Sequence, residues 1–213
     1  MTRLRIIDLS EEISSSTLPS TGEYPGVYLL KWTNVALHGY ESELLFMPTH
    51  ASTHIDAPRH LIEKGKTIGD APLASFIVAA TVLDVSFART NKVITLKDIK
   101  HAESKVGIDY CEGVLLYTGF EKPATRFPGL SESAAHYLAE RRLKVVGIDT
   151  PSIDPWDSTT LAAHKVLLGR GIYIIENLRN LKKLVNRKFR LIALPLKIQG
   201  ASASPARVIA ILE

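Results

Sequence analysis

The chain has 213 residues, 46% of them hydrophobic and 23% charged. That is enough for one good core and too little for two full domains, so the sequence reads as one domain spanning 1–213. No apolar run approaches the roughly 20 residues of a membrane helix, and the N-terminus has no signal-peptide core, so a cytoplasmic location is expected. A single cysteine, Cys111, rules out an internal disulfide and any CxxC metal site.

Strand-like segments, β-branched and apolar between turn signals, begin with VYLLKWTNV from Val27 and AATVLDVSF from Ala79, followed by GVLLYTG from Gly113. SESAAHYLAERR from Ser131 has helical spacing with Ser131 as its cap. KVVGID from Lys144 is a strand, and STTLAAHKVLLG from Ser158 a helix with Gly169 just past its end. GIYIIE from Gly171 is again a strand. A third, basic helix is expected from near Asn177, because Leu181, Leu184 and Val185 recur at helical spacing within RNLKKLVNRKFR. Strands RLIALPL from Arg190 and ARVIAILE from Ala206 close the series. The mixture predicts an α/β domain with a mixed sheet. The net charge of +4 lies mostly in that basic segment, where Phe189 is the one aromatic, so it reads as a solvated helix face and no nucleic-acid partner is expected.

Three of the seven histidines fall in HASTHIDAPRH, residues 50–60, with Asp56 among them. A straight strand would hold His50 roughly 20 Å from Asp56, far beyond the reach of one metal ion. A continuous helix would align His50 with His54 but turn Asp56 and His60 away, and Pro48 and Pro58 oppose it. A tight turn or short helical piece that folds back is expected, converging His50, His54 and Asp56 on one point. From spacing alone, metal binding and ordinary surface or core histidines are equally good readings. HExxH and GxSxG are both absent, which argues against a zincin-type peptidase and a serine hydrolase.

The segment resembles the HxGTHxDxPxH motif of the metal-dependent cyclase family, which includes bacterial kynurenine formamidases and isatin hydrolases. The likeness extends through TIGDAPL, VLLYTG, GIDTPSID, AHKVLLGRGIYIIENL and PLKIQGASASPARV in the family's order. Ser52 stands where the family has glycine; if the position needs positive φ, serine there is strained.

The resemblance implies a swivelling β/β/α fold, a homo-oligomer (dimer or tetramer) and a small-molecule substrate. It adds His164 and Glu176 as ligands, with Asp56 shared between one or two divalent ions, zinc or manganese. His60 corresponds to a proton shuttle, and Tyr24 in STGEYPGVY to a substrate-stacking aromatic that kynurenine formamidases usually supply as tryptophan. The implied reaction is hydrolysis of a C–N amide bond in an N-formyl arylamine such as N-formylkynurenine, or in a lactam such as isatin. A hydro-lyase or cyclase reaction on the same scaffold, or a non-catalytic metal-binding module, is the alternative. Asp149 and Asp154 could support the ligands, and Ser202 and Ser204 could supply hydrogen bonds near the site, but for all four ordinary turn chemistry is the preferred reading.

Overall fold

The computed structural model describes residues 4–17, 25–122 and 125–212. In chain order the strands are β1 Arg5–Asp8, β2 Tyr28–Thr33, β3 Ser42–Phe46, β4 His54–Asp56, β5 Ile77–Asp84, β6 Val93–Ile94, β7 Gly113–Tyr117, β8 Gly129–Leu130, β9 Val145–Ile148, β10 Tyr173–Glu176, β11 Lys188–Pro195 and β12 Ala203–Leu212. The helices are α1 Val35–His38, α2 Leu96–Glu103, α3 Glu132–Ala139 and α4 Ala162–Gly169.

Strands β5, β7, β9 and β10 are parallel neighbours, linked through α2, α3 and α4. Such strands are covered on both faces, which is why β7, β9 and β10 are almost unbroken apolar runs. β4, β12 and β11 complete the sheet with antiparallel pairings. Because β4 pairs with both β10 and β12, seven strands close into a barrel, and β1 lies beside the far end of β12.

Alternation sorts the side chains into two cores. Leu115, Val145, Tyr173, Ile175, Ile55 and Val208 point into the barrel. Val114, Leu116, Val146, Ile148 and Ile174 point outward, under α2, α3 and α4. On β10 this puts Ile174 and Glu176 on the outer face, and on β4 it puts His54 and Asp56 there, since Ile55 faces in.

Several expected elements are displaced. The first strand stops at Thr33, where Asn34 caps the four-residue α1, and the second runs from Ile77 to Asp84. Ser131 caps α3 as expected, accepting from Ala134 N. Helix α4 starts at Ala162, and Gly169 is its last residue; Gly171, at φ +74°, takes the left-handed position after it. The basic segment is not the helix its spacing predicted. It forms a single 3₁₀ turn, Leu181–Leu184, bracketed by Asn180 and Asn186 at φ 61° and 58°, and β11 begins at Lys188. Left-handed asparagines cannot continue a right-handed helix, and alternation of Phe189, Leu191 and Ala193 into the barrel decides for strand. No helix among the described residues is long and apolar enough to cross a membrane.

Candidate metal centre

The folded-back loop takes a form that neither simple geometry supplied. His54 and Asp56 do lie on a strand, but it is three residues long, and i, i+2 spacing sets both on the outer face. Antiparallel register then places Glu176 directly beside His54 and Ile174 beside Asp56. His50 joins from before the strand because Ser52 turns the chain at φ 58°. That left-handed value, carried without glycine, costs on the order of 1–2 kcal/mol. The Ser52 hydroxyl recovers part of it by donating to the Glu11 carbonyl at 3.1 Å. Pro58 opens a 3₁₀ turn that ends at His60, and α4 lays His164 across the same face.

The result is a buried cluster. His50 Nδ1 is 2.8 Å from Asp56 Oδ1, and His54 Nε2 is 3.4 Å from the same oxygen and 3.3 Å from Glu176 Oε2. His164 Nε2 lies 3.1 Å from Glu176 Oε1 and 3.5 Å from Asp56 Oδ2. The His60 ring is centred 4.2 Å from that of His50 and 5.6 Å from that of His164. Despite this crowding, His54 Nε2 and both Asp56 oxygens are buried without a hydrogen-bond partner. Buried polar atoms left in that state cost about 1–3 kcal/mol each. An imidazole nitrogen of His54 and a carboxylate oxygen of Asp56 that face one another at 3.4 Å are what a shared cation requires. Two sets, His50–Asp56–His60 and His54–Asp56–Glu176, have their ligand atoms within 4.8 Å of one another, with Asp56 common to both. Glu176 meets both His164, at 3.1 Å, and His54, which cross-strand register sets beside it at 3.3 Å.

Electrostatics says the same. Burial alone would push His54 down, but the Asp56 and Glu176 carboxylates outweigh it and hold the imidazole up at about 9. His164 is likewise raised against its burial, by Glu176, Asp154 and Asp56. Burial opposes ionisation of Asp56, yet the neighbouring His54, His164 and His50 keep it well below the usual carboxylate range. Glu176, pushed up by burial and by Asp56, is brought below its ordinary value by His164 and His54. The carboxylates therefore stay charged and draw positive charge into a closed site. His60 is the exception: burial depresses it to about 4, so it is neutral at pH 7.

A ring of partners fixes the donors. Asp154 accepts from Ala163 N and His164 N in the first turn of α4, and its Oδ2 lies 2.6 Å from His164 Nδ1. That bond fixes Nδ1 as a protonated nitrogen and turns Nε2 toward the carboxylates. Asp154 thus does more than shape a turn, contrary to expectation. It is held close by Gly129, where a Cβ would sit 2.1 Å from the Asp154 carbonyl carbon. His54 Nδ1 donates to Ser52 O at 2.9 Å, Ile153 N donates to Glu176 Oε1 at 2.7 Å, and the Ser202 hydroxyl is 3.1 Å from His50 Nε2. Ser204, expected in a turn, lies instead buried in β12 opposite Ile55, where its hydroxyl accepts from Leu196 N and donates to Pro205 O. Asp149 likewise accepts from Thr118 N, Thr118 Oγ1 and Gly119 N, joining the ends of β7 and β9.

Thr53 was overlooked. Its buried hydroxyl donates to Asn177 O at 2.7 Å and accepts from Glu11 N at 2.8 Å, so it couples the His54 and Glu176 strand ends. The Glu11 carboxylate in turn meets Lys122 at 2.6 Å and Arg179 at 3.0 Å. Its place between two candidate ligands was the available signal. Tyr24 lies outside the described residues.

With this geometry in hand, comparison with known proteins is direct. The Cyclase family model matches residues 7–155. The chain belongs to the cyclase family. It is 32% identical to a kynurenine formamidase of Bacillus thuringiensis (strain Al Hakam) over 95% of both chains. An isatin hydrolase A from Labrenzia aggregata, bound to benzyl benzoate, superposes with TM-score 0.84 at 25% identity, over 98% of this cyclase-family chain and 94% of the other. A structure described as a potential metal-dependent hydrolase with cyclase activity gives TM-score 0.78 at 30% identity, covering 98% of each chain.

Proposed function

We propose that this cyclase-family protein hydrolyses a non-peptide C–N amide bond with the help of a divalent ion, zinc or manganese. One observation carries the reading: two carboxylates and three imidazoles converge in a buried cluster where Asp56 and His54 keep orphaned donor atoms. His50, His54, Asp56, His164 and Glu176 would hold the metal, and the two overlapping sets sharing Asp56 suit one or two ions per subunit. All are nitrogen or oxygen donors, as zinc and manganese accept. A divalent ion bound there lowers the pKa of water toward 7 and polarises a carbonyl.

The chain's own residues supply the rest. His60, neutral at pH 7, takes a proton from the attacking water and passes it to the leaving nitrogen as the C–N bond breaks. Asp154 and Ser202 orient the rings of His164 and His50. The kynurenine formamidase and isatin hydrolase relatives point to N-formyl arylamines such as N-formylkynurenine, or lactams such as isatin, with Tyr24 as the stacking aromatic. The working unit is a cytoplasmic homo-oligomer, dimer or tetramer.

The test is direct. Purified protein is expected to carry or take up close to stoichiometric zinc or manganese and to turn over one of these amides. His54→Ala/Asp56→Ala should lose the metal, and His60→Ala should keep metal and lose turnover. Unchanged metal content in the folded double variant overturns the site, and full activity of His60→Ala removes its role.

A further inference from the structure

Residues 9–11 leave β1 and run toward the metal centre. Leu9 is fully buried; its N–H donates to Val208 O on β12, and its carbonyl accepts from Arg179 N. Glu11 is then held at both of its main-chain groups by side chains of the donor loop. Its N–H donates to Thr53 Oγ1 at 2.8 Å, and its carbonyl accepts from Ser52 Oγ at 3.1 Å. Those two residues lie between His50 and His54.

The Glu11 carboxylate reaches a different part of the fold. Its Oε1 is 3.0 Å from Arg179 Nη2, three residues past Glu176, and 2.6 Å from Lys122 Nζ in the segment after β7. Arg179 is itself anchored, donating from Nη1 to the carbonyls of Asp149 and Leu178. One residue therefore bonds both halves of the donor set. Its backbone holds the loop that bears His50 and His54, and its side chain holds the strand end that bears Glu176. Thr53 closes the ring by donating to Asn177 O at 2.7 Å.

Stability alone is a poor account of this arrangement. The Glu11 side chain is 15% exposed, and among the described residues its Oε2 is buried without a hydrogen-bond partner. Taking a carboxylate out of water costs energy that its ion pairs recover incompletely, so what such a group adds is a fixed geometry.

We infer that Glu11 is a positioning residue for the metal centre. Its carboxylate, gripped by Arg179 and Lys122, sets the spacing between the His50–His54 loop and the end of β10. This rests on the metal-centre reading and adds to it a residue outside the donor set.

The experiment is calorimetric titration of the full chain with zinc, and with manganese if that binds more tightly. Wild type is compared with Glu11→Gln, Arg179→Gln and the double variant. Charge alone predicts opposite signs, because losing a carboxylate weakens a nearby cation site and losing a guanidinium tightens it. Positioning predicts one sign: each single variant should bind about 2- to 30-fold more weakly. The double variant should be no weaker than Arg179→Gln alone, since the same link is broken in both. Opposite signs, additive losses or wild-type affinity in the single variants overturn the inference and leave the metal centre standing. A wild type that binds neither ion overturns both. Should the variants misfold, hydrogen exchange on the wild type decides. Coupling between sites is reciprocal, so loading the ion should slow exchange of the Glu11 and Arg179 amides. Unchanged exchange at both in metal-loaded protein overturns the role of Glu11.

Discussion

Ser52 shows how a single side chain sets the geometry of a whole site. Its φ of 58° is what swings His50 back over the strand bearing His54 and Asp56. Ser52→Gly relieves the left-handed strain but loses the hydroxyl bond to Glu11, two changes of about 1 kcal/mol that oppose each other. Ser52→Ala loses the bond and keeps the strain, so it should be less stable than Ser52→Gly by about 1–2 kcal/mol in denaturant titration. Asp154→Asn is expected to weaken metal binding about 10- to 100-fold by loosening the His164 ring, measured by calorimetry. Asp149 carries a pH signature. Burial raises its carboxyl to about 6 against the opposing bonds from Thr118 and Gly119. The folded protein therefore holds a proton that the unfolded chain releases near 4. The stability this contributes is fully present below pH 4 and lost as pH rises through 6. Asp149→Asn has no such term, so its stability relative to wild type should improve between pH 4 and 6, by at most about 3 kcal/mol. Parallel thermal melts across that range check it.

At the level of elements, the donors come in pairs because short pieces meet end to end. β4 and β10 bring His54 and Glu176 together by register, and Thr53 locks the two strand ends through Asn177. Thr53→Val should therefore lower metal affinity about tenfold or more while Thr53→Ser restores it; equal affinity in all three proteins would limit Thr53 to packing. This pairing also shows what could be read from the residues alone. The covered strands β7, β9 and β10 and the Ser131 cap were legible, because unbroken apolar runs and a helix cap are local signals. His50, His54, Asp56, His60, His164 and Glu176 were legible as a group through family likeness, and the structure gathers all six. That His54 also meets Glu176 was not, because antiparallel register between residues about 120 positions apart leaves no local trace. The three-residue β4 is too short to register as a strand, and the two left-handed asparagines that break the basic segment look like ordinary helix-surface residues.

Across the molecule, the donors hang on the barrel's closing strand, on a crossover helix and on the end of a parallel strand. Loading an ion would tie these three parts together, and no donor set of this kind exists in the unfolded chain. At a hundredfold excess over its dissociation constant the ion should add about 2.7 kcal/mol. Calorimetric melting with and without a chelator should then differ by about 5–10 °C. An unchanged melting temperature in protein shown to be metal-loaded would mean the ion bridges none of these parts. The alternation along β4 has one more effect. Sliding this strand by a single position would swing Ile55 out among the carboxylates and drive His54 and Asp56 into the greasy hollow of the barrel. Every misaligned closure is thus penalised on both walls at once, and the reactive centre doubles as the proofreader of the fold that holds it.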